Sequence, residues 1–234
     1  RLGVRLVGPK PSWTRPNGGE AGLHPSNVHD CEYAIGAINF TGDFPVILTR
    51  DGPSLGGFVC PVTIAKAELW KVGQVKPGDR IRFYPISVED AVARENAQDR
   101  SVETLQTTAL CEFAMPSLAD RDGVSAAGLV SLPATFSTPA IVYRQAGDNY
   151  ILIEYGENVL DLALRLRVHV LMEHLRELAH PGIKELSPGV RSLQVRYDSR
   201  EISQPALVAL LLEQEARIGD VSRMKVPSRI VHLP

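Results

Sequence analysis

The residues best able to do chemistry lie close together near the start of the chain, in the stretch GGEAGLHPSNVHDCEY at positions 18–33. Carboxylates and imidazoles accept and transfer protons, and amides donate and accept hydrogen bonds in fixed directions. That set could orient a small polar substrate that offers several N–H groups and a carbonyl. We predict acid–base work for Asp30, His29 and Glu20. We predict substrate binding for His24, Asn27 and the more distant Asn39.

Two other interpretations of this stretch have to be weighed. His24, His29 and Asp30 are legitimate metal ligands, but four residues including Pro25 separate the histidines. That spacing fits no common metal motif, so we expect no metal site. The stretch could also be only an elaborate turn, because Ser26 and Asn27 are good capping residues. The residues alone leave the site and the turn open.

Glycines flank the candidate residues and form a second cluster downstream. Gly18 and Gly19 open the stretch, and Gly56 and Gly57 lie within DGPSLGGF. Because the second loop lacks the Lys-Ser/Thr of a phosphate-binding loop, we do not expect it to bind ATP. Backbone N–H groups of all four glycines could approach a ligand closely. The glycines could equally do no more than turn the chain.

The elements that must position these residues are short strands over residues 1–86. GAINFTGDFPVIL predicts two strands around a Thr-Gly-Asp turn, and DGPSLGGFVCPVTI predicts a loop and a strand. RIRFYPI predicts a further strand with Ile81, Phe83 and Pro85 on one face. AKAELW predicts one helical turn. Many short strands punctuated by glycine and proline favour a barrel or a sandwich.

The pattern changes twice beyond this point. Residues 87–139 predict a short helix and then a linker rich in Ala, Ser, Gly and Pro, which we expect to be mobile from about 100 to 138. Residues 140–234 predict a hairpin, a helix capped by Asn158, a second strand pair, a helix capped by Ser203 and a last strand. The order of strand pair and helix, repeated, is typical of a small ferredoxin-like α+β domain.

Composition bounds the class of protein. The chain has 234 residues, 44% of them hydrophobic, and a formal net charge of −2. That balance gives no electrostatic footprint for nucleic acid, and no apolar run reaches the roughly 18 residues of a membrane span. Three cysteines without metal spacing favour reduced thiols and a cytoplasmic location. The strand-like alternation that begins at the first residue leads us to expect a fragment of a longer chain.

The sequence also resembles a known family. Residues 5–86, which contain GGEAGLHPSNVHDCEY and DGPSLGGFVCPVTI, resemble the C-terminal half of the allophanate hydrolase subunit 2 family. Residues from about 140 onwards resemble the start of the matching subunit 1 family through GDNYILIEYG and GVRSLQVRYD. The two in this order resemble the carboxyltransferase domain of urea carboxylases and urea amidolyases.

The resemblance implies a fold and a reaction. The fold would be mixed β and α+β, with part of a cyclophilin-like β-barrel followed by the small α+β domain. The domain would take the carboxyl group of carboxybiotin and pass it to urea, forming allophanate. Biotin would be carried on another domain of the parent chain, and ATP would be used by another. The partners would be urea, the carrier domain and the remaining carboxyltransferase, biotin carboxylase and hydrolase domains, with no nucleic acid and no membrane.

Two further expectations follow from the resemblance. Because each carboxyltransferase half is incomplete here, we expect the isolated chain not to carboxylate urea. The same family includes Kip-type proteins, so the alternative function is that of a regulatory partner of a 5-oxoprolinase complex or a histidine kinase.

Overall fold

The computed structural model describes residues 2–106, 128–221, 224, 225 and 230. All strand pairs in it are antiparallel. The strands are β1 Gly3–Arg5, β2 Asn27–Glu32, β3 Ala37–Thr41, β4 Phe44–Leu48, β5 Leu55–Phe58, β6 Val62–Thr63, β7 Gly128–Leu132, β8 Ile141–Gln145, β9 Tyr150–Tyr155, β10 Ile183–Pro188 and β11 Ser192–Tyr197. The α-helices are α1 Leu69–Gln74, α2 Val88–Thr104, α3 Leu162–Leu178 and α4 Gln204–Ala216, with 3₁₀ turns at Gly19–Ala21 and Lys66–Glu68.

The first half of the chain forms two small sheets. One has the strand order β1-β4-β3-β6, and the other pairs β2 with β5. The predicted strand pair around Thr-Gly-Asp is confirmed as the hairpin of β3 and β4, whose turn places Gly42 at φ +65°. Within residues 2–106 these strands do not close into a barrel. The partial cyclophilin-like barrel therefore stays a prediction.

The strand predicted around Ile81, Phe83 and Pro85 is wrong. Residues 80–86 have no regular secondary structure, and their backbone pairs with no described strand. Alternating side chains do not make a strand unless a neighbouring strand edge is available for pairing. Pro85 also has no N–H to donate to such an edge. Ile81 is nevertheless packed against the apolar cluster of Ile38, Ile47 and Val72.

The second half is an α+β unit of two layers. Its sheet has the order β10-β11-β9-β8-β7, and the buried residues of α3 and α4 pack with those of the sheet in one apolar core. The predicted succession of strand pair, helix, strand pair and helix is confirmed. The order of β10, β11, β9 and β8 is that of a ferredoxin-like sheet whose chain begins at its second strand.

The helix starts in this unit agree only partly with the sequence. Ser203 caps α4 as predicted, because its side chain accepts from the backbone N–H of Ala206. Asn158 does not cap α3. The cap is Asp161, whose carboxylate accepts from the N–H of Ala163 at 2.6 Å. Either side chain suits a helix N-cap, and the extended backbone before Leu162 selects the later one.

The connection between the halves is more regular than its composition indicates. The short helix predicted after position 87 is α2, which has 17 residues and is capped by Ser87. Strand β7 then extends the second sheet into the segment that we predicted as linker. Residues 107–127 and the last strand predicted at 229–234 lie outside the described residues, apart from Ile230. The division into three parts at 86 and 139 stays a prediction.

The two halves are in direct contact. Tyr150 of β9 joins an apolar cluster with Tyr33, Ala37 and Leu48 of the first half. Helix α2 ties both halves together, because its Glu95 forms an ion pair with Lys66 and its Asp99 forms one with Arg200. In the part of the chain that the structure describes, no helix is both long and apolar enough to cross a membrane.

Candidate functional site

An irregularity in β2 shapes the region that we predicted to be functional. Asn27 pairs with Phe58 and Cys31 pairs with Gly56, so three residues of β2 stand opposite the single residue Gly57. A bulge of this kind bends the strand and redirects its side chains. His29 and Asp30 both lie within it. The bulge therefore explains why adjacent polar residues occur in a strand without simple alternation.

A shallow cavity of about 420 Å³ opens at this bulge. Asn27, His29, Asp30 and Gly57 line it, so the structure brings four of the ten predicted site residues together. The remaining lining residues are Ala21, Val28, Phe58, Leu160 and Val190. Because Leu160 and Val190 belong to the second half of the chain, the cavity is built by both halves.

Two residues of the second half form hydrogen bonds with the backbone of the bulge. The N–H of Val190 donates to the carbonyl oxygen of Asp30 at 3.2 Å. The side-chain oxygen of Asn158 accepts from the N–H of His29 at 3.4 Å. The sequence suggested a helix cap for Asn158. Its amide oxygen satisfies a backbone donor that the bulge leaves without a strand partner.

The two central residues differ in their surroundings. Asp30 is exposed, so its carboxylate can meet a small molecule at the cavity. His29 is partly buried, and its Nε2 is buried with no hydrogen-bond partner among the described residues. Buried polar atoms are normally paired, and an unpaired one at a cavity marks unused hydrogen-bonding capacity.

His24 does not line this cavity. Its Nδ1 accepts from the N–H of Ser26 at 3.1 Å and lies 2.8 Å from the Ser26 hydroxyl. Its Nε2 lies 3.6 Å from a carboxylate oxygen of Asp43, which also accepts from the indole N–H of Trp13. Because Ser26 is fully buried, this serine, histidine and aspartate form a structural group without an accessible nucleophile.

The first glycine pair and Glu20 form the turn before the bulge. A side chain at Gly18 would stand 2.7 Å from the carbonyl oxygens of Gly22 and His24. Gly19 has φ +59°, a conformation that glycine adopts at little cost. Glu20 is exposed beside Ala21. None of the three lines the cavity, so their predicted ligand roles remain predictions.

Gly56 of β5 and Asn39 of β3 both contact Tyr33. The buried hydroxyl of Tyr33 accepts from the N–H of Phe58 at 2.8 Å and from the Asn39 side chain. A side chain at Gly56 would stand 2.5 Å from that hydroxyl. Gly56 thus allows β5 to lie against Tyr33, and Asn39 donates to the Tyr33 hydroxyl. The structure places neither residue at the cavity, although Gly57 next door lines it.

Glu32 is the residue that sequence reasoning missed. It closes β2, is 3% exposed, and its carboxylate accepts from the Ser192 hydroxyl at 2.7 Å. Burial raises the pKa of Glu32 to about 7, against the opposing effect of the Ser192 hydrogen bond. The chain places this acid two residues from Asp30. Its place within the polar stretch could have indicated Glu32 as a candidate. Its partner Ser192, however, is 160 residues away in the sequence.

The described residues gather no set of three His, Cys, Asp or Glu side chains as metal ligands. Cys31 and Cys60 are free thiols. Burial raises the pKa of Cys31 well above its ordinary value and that of Cys60 to about 12. Both are therefore protonated and poorly nucleophilic at neutral pH.

Two family models match the chain. Residues 1–85 match the carboxyltransferase domain, subdomain A and B, and residues 141–234 match the carboxyltransferase domain, subdomain C and D. The cavity at the β2 bulge takes residues from both matched regions.

Known proteins of this kind are similar to the whole chain. It is 49% identical over 239 residues to a urea amidolyase of Lachancea kluyveri, of which it covers 13%. It is 42% identical over 257 residues to a putative urea carboxylase of Emericella nidulans, of which it covers 20%. The chain is fully covered in both alignments and spans only that small share of each relative's length.

A solved structure extends the likeness to three dimensions. The urea carboxylase of Kluyveromyces lactis matches with a TM-score of 0.86 and 48% identity, over 93% of this chain and 19% of that one. The urea amidolyase of the same organism matches equally well, over 13% of its length. The chain belongs to the carboxyltransferase domain family and carries sequence of both its A–B and its C–D subdomain pairs.

Proposed function

We propose that this chain is part of the carboxyltransferase of a biotin-dependent urea carboxylase, in which carboxyl passes from carboxybiotin to urea to form allophanate. One observation carries the proposal. The cavity at the β2 bulge joins an exposed carboxylate, an imidazole and an amide from the A–B region to a wall from the C–D region. The likeness to urea carboxylases and urea amidolyases supports urea as the substrate.

The donor set at the cavity fits small ureido groups. Urea and the ureido ring of biotin both offer N–H donors and one carbonyl acceptor. The Asp30 carboxylate accepts from N–H, the Asn27 amide can do either, and Gly57 leaves its backbone uncovered by a side chain. Bound carboxybiotin would supply the activated carboxyl group. The residues of this chain orient urea and hold the proton that its nitrogen loses.

Urea is a weak nucleophile, so the site has to fix its direction and take its proton. Asp30 accepts from the attacking nitrogen, because it is the exposed carboxylate of the cavity. His29 adjoins it on the same bulge and receives or relays the proton. The backbone contacts from Val190 and Asn158 keep the bulge in place while this happens. The A–B and C–D regions must stay in contact for both residues to be held.

The test is Asp30→Asn in the complete urea carboxylase that carries this segment. The change is nearly isosteric and removes the charge that accepts the proton. We expect urea-dependent turnover to fall by about 10²–10⁴-fold, with ATP-dependent biotin carboxylation and the thermal midpoint unchanged. Glu157→Gln is the matched control, because Glu157 is an exposed carboxylate beside Asn158 that does not line the cavity.

A mutant with a lowered thermal midpoint and near-normal turnover would contradict the proposal and reduce the stretch to a turn. Our sequence-based expectation is that the 234-residue chain alone forms no allophanate. Measurable biotin-dependent allophanate formation by it would overturn that expectation. The Kip-type regulatory function stays the alternative prediction.

A further inference from the structure

A second and larger cavity, of about 540 Å³, lies between the two halves and contains none of the residues that the sequence singled out for chemistry. Its volume is within the range of about 300–1,000 Å³ that is typical of small-molecule sites, and such sites are frequent at domain interfaces. Leu69, Trp70 and Val72 of α1 form part of one wall. β9 and β11 contribute Tyr150, Arg196 and Tyr197 from the other half.

The wall from α1 offers an apolar and aromatic surface. Trp70 lines the cavity, and 55% of its surface is exposed. A large aromatic side chain that is left half uncovered inside a concave surface favours an apolar or planar ligand.

The rest of the lining has an excess of available positive charge. Arg50 and Lys184 are exposed and form no ion pair within the described part of the chain, although the Lys184 ammonium donates to the carbonyl oxygen of Pro181 at 2.9 Å. Arg196 has only a 3.4 Å contact with Glu185, which is itself 56% exposed. Arg50, Lys184 and Arg196 are therefore accessible to an anion in the cavity.

The carboxylates of the lining already have interaction partners. Asp198 accepts two hydrogen bonds from the Arg200 guanidinium, each 2.8 Å long. Asp148 is 5% exposed and accepts from the backbone N–H of Lys66 at 3.1 Å. Asp51 is engaged as well. These carboxylates already have partners. The basic side chains therefore determine the charge that a ligand in the cavity meets.

Arg50, Arg196 and Tyr150 all line the cavity. Burial raises the pKa of Tyr150. The N–H of Ile35 and the positive charges of Arg196 and Arg50 oppose that rise, and the negative charge of Glu185 adds to it. That hydroxyl accepts from the N–H of Ile35 and keeps its own proton to donate. An anion in the cavity can therefore reach two guanidinium groups and a phenol.

We propose that this cavity binds a small organic anion, whose charged group lies against Arg50, Arg196 and Lys184 and whose apolar, planar body lies against Trp70. The charged residues come from both halves of the chain. The ligand would therefore bridge the A–B and C–D regions at a place separate from the β2 bulge. The proposal does not depend on the reaction proposed above.

The test uses 2-naphthoate as the probe and 2-naphthamide as its neutral counterpart of nearly the same shape. Binding of each to the 234-residue chain is measured by isothermal titration calorimetry. We expect naphthoate to bind at least about tenfold more tightly than the amide. Raising the ionic strength from about 0.05 M to about 0.5 M should weaken naphthoate alone, because salt screens charges that are partly exposed.

The variants assign the site. The double substitution Arg50→Gln and Lys184→Gln should lower the affinity for naphthoate about tenfold and leave that for the amide unchanged. Trp70→Leu should weaken both probes. Arg82→Gln is the control, because Arg82 is exposed and does not line the cavity. Circular dichroism of each variant verifies its fold, and these are surface changes that leave the core intact.

Three results would overturn the proposal. They are no saturable naphthoate binding up to about 10 mM, equal affinity for acid and amide, and an Arg82→Gln variant that loses as much affinity as the double variant. A folded double variant with unchanged naphthoate binding would overturn it too. None of these results bears on urea-dependent turnover, so the two proposals fail separately.

Discussion

The hydroxyl of Ser192 donates a hydrogen bond of 2.7 Å to the carboxylate of Glu32, across the junction between the A–B and C–D regions. The other carboxylate oxygen of Glu32 is buried and has no partner among the described residues. The Ser192 hydroxyl and the backbone N–H groups of Gly189 and Gln194 do not replace all the water that an ionised carboxylate loses on burial. The junction is therefore tighter when Glu32 carries a proton.

This relationship predicts how stability depends on pH. The pKa of Glu32 is about 7 in the folded chain, against an ordinary value of 4.5. Between these values the folded state binds the proton that the unfolded state has lost, so the free energy of unfolding falls as pH rises. The contribution of Glu32 is fully present below 4.5 and is lost above 7. From the shift we expect a loss of about 3 kcal/mol.

Urea denaturation between pH 5 and pH 8 measures this effect. Glu32→Gln mimics the protonated form, so the variant should gain stability over the parent chain by about 2–3 kcal/mol across that range. The difference isolates Glu32 from every other titrating group. A difference that stays constant with pH would show that Glu32 has an ordinary pKa.

Gly189 predicts a second effect at the same junction. A side chain there would stand 2.7 Å from the carbonyl oxygen of Asp30 and 2.8 Å from the Ser192 hydroxyl oxygen. Since the first of these is backbone, Gly189→Ala should push the β10–β11 turn away from the bulge. We expect a loss of about 1–3 kcal/mol in unfolding free energy, as for an overpacked core.

Gly219→Ala is the control for that change, because a side chain at Gly219 would meet no atom within 4 Å. It should alter stability by no more than about 0.5 kcal/mol. Under the proposed function, Gly189→Ala in the complete enzyme should also lower urea-dependent turnover, since the turn contacts Asp30. Two alanine variants of equal stability would mean that the turn yields freely.

A third prediction concerns the core of the α+β unit. Arg167 of α3 donates to Glu215 of α4 at 2.7 Å, and the Tyr155 hydroxyl donates to the same carboxylate at 2.6 Å. Both charged side chains are less than 5% exposed. Arg167→Leu leaves a buried carboxylate without its cation, so we expect a loss of about 3–5 kcal/mol.

The double variant Arg167→Leu and Glu215→Leu should recover most of that stability, because no unpaired charge remains. Chemical denaturation of the two single variants and the double variant gives the coupling directly. The exposed pair of Glu173 and Arg176 on α3 is the reference, and removing it should cost less than about 1 kcal/mol. A double variant as unstable as Arg167→Leu alone would contradict the prediction.

Local pattern was sufficient to predict much of the second half. Side-chain periodicity gave α3 and α4, and the turn Gly147-Asp148-Asn149 gave the hairpin of β8 and β9, since these elements depend on neighbours in sequence. It failed where a distant partner decides the outcome. Residues 80–86 alternate without a neighbouring strand. Asn158 accepts from a backbone N–H that lies 129 positions away.

The candidate site was predictable in composition and not in arrangement. The polar stretch supplied Asn27, His29 and Asp30, and the cavity uses all three. It also contained His24 and Glu20, which do not line the cavity. Nothing in the stretch itself shows that three residues oppose one at Gly57. That register depends on β5, and the far wall depends on residues more than 100 positions away.

The contacts at the β2 bulge have a consequence for how such a site can be encoded. Val190, Asn158 and Ser192 reach Asp30, His29 and Glu32 through space, and none of these contacts depends on the peptide bonds between the two regions. Joining them in one polypeptide raises the local concentration of each region around the other to the order of millimolar. Two separately translated polypeptides could form the same pocket, at the cost of an assembly that dilution would reverse.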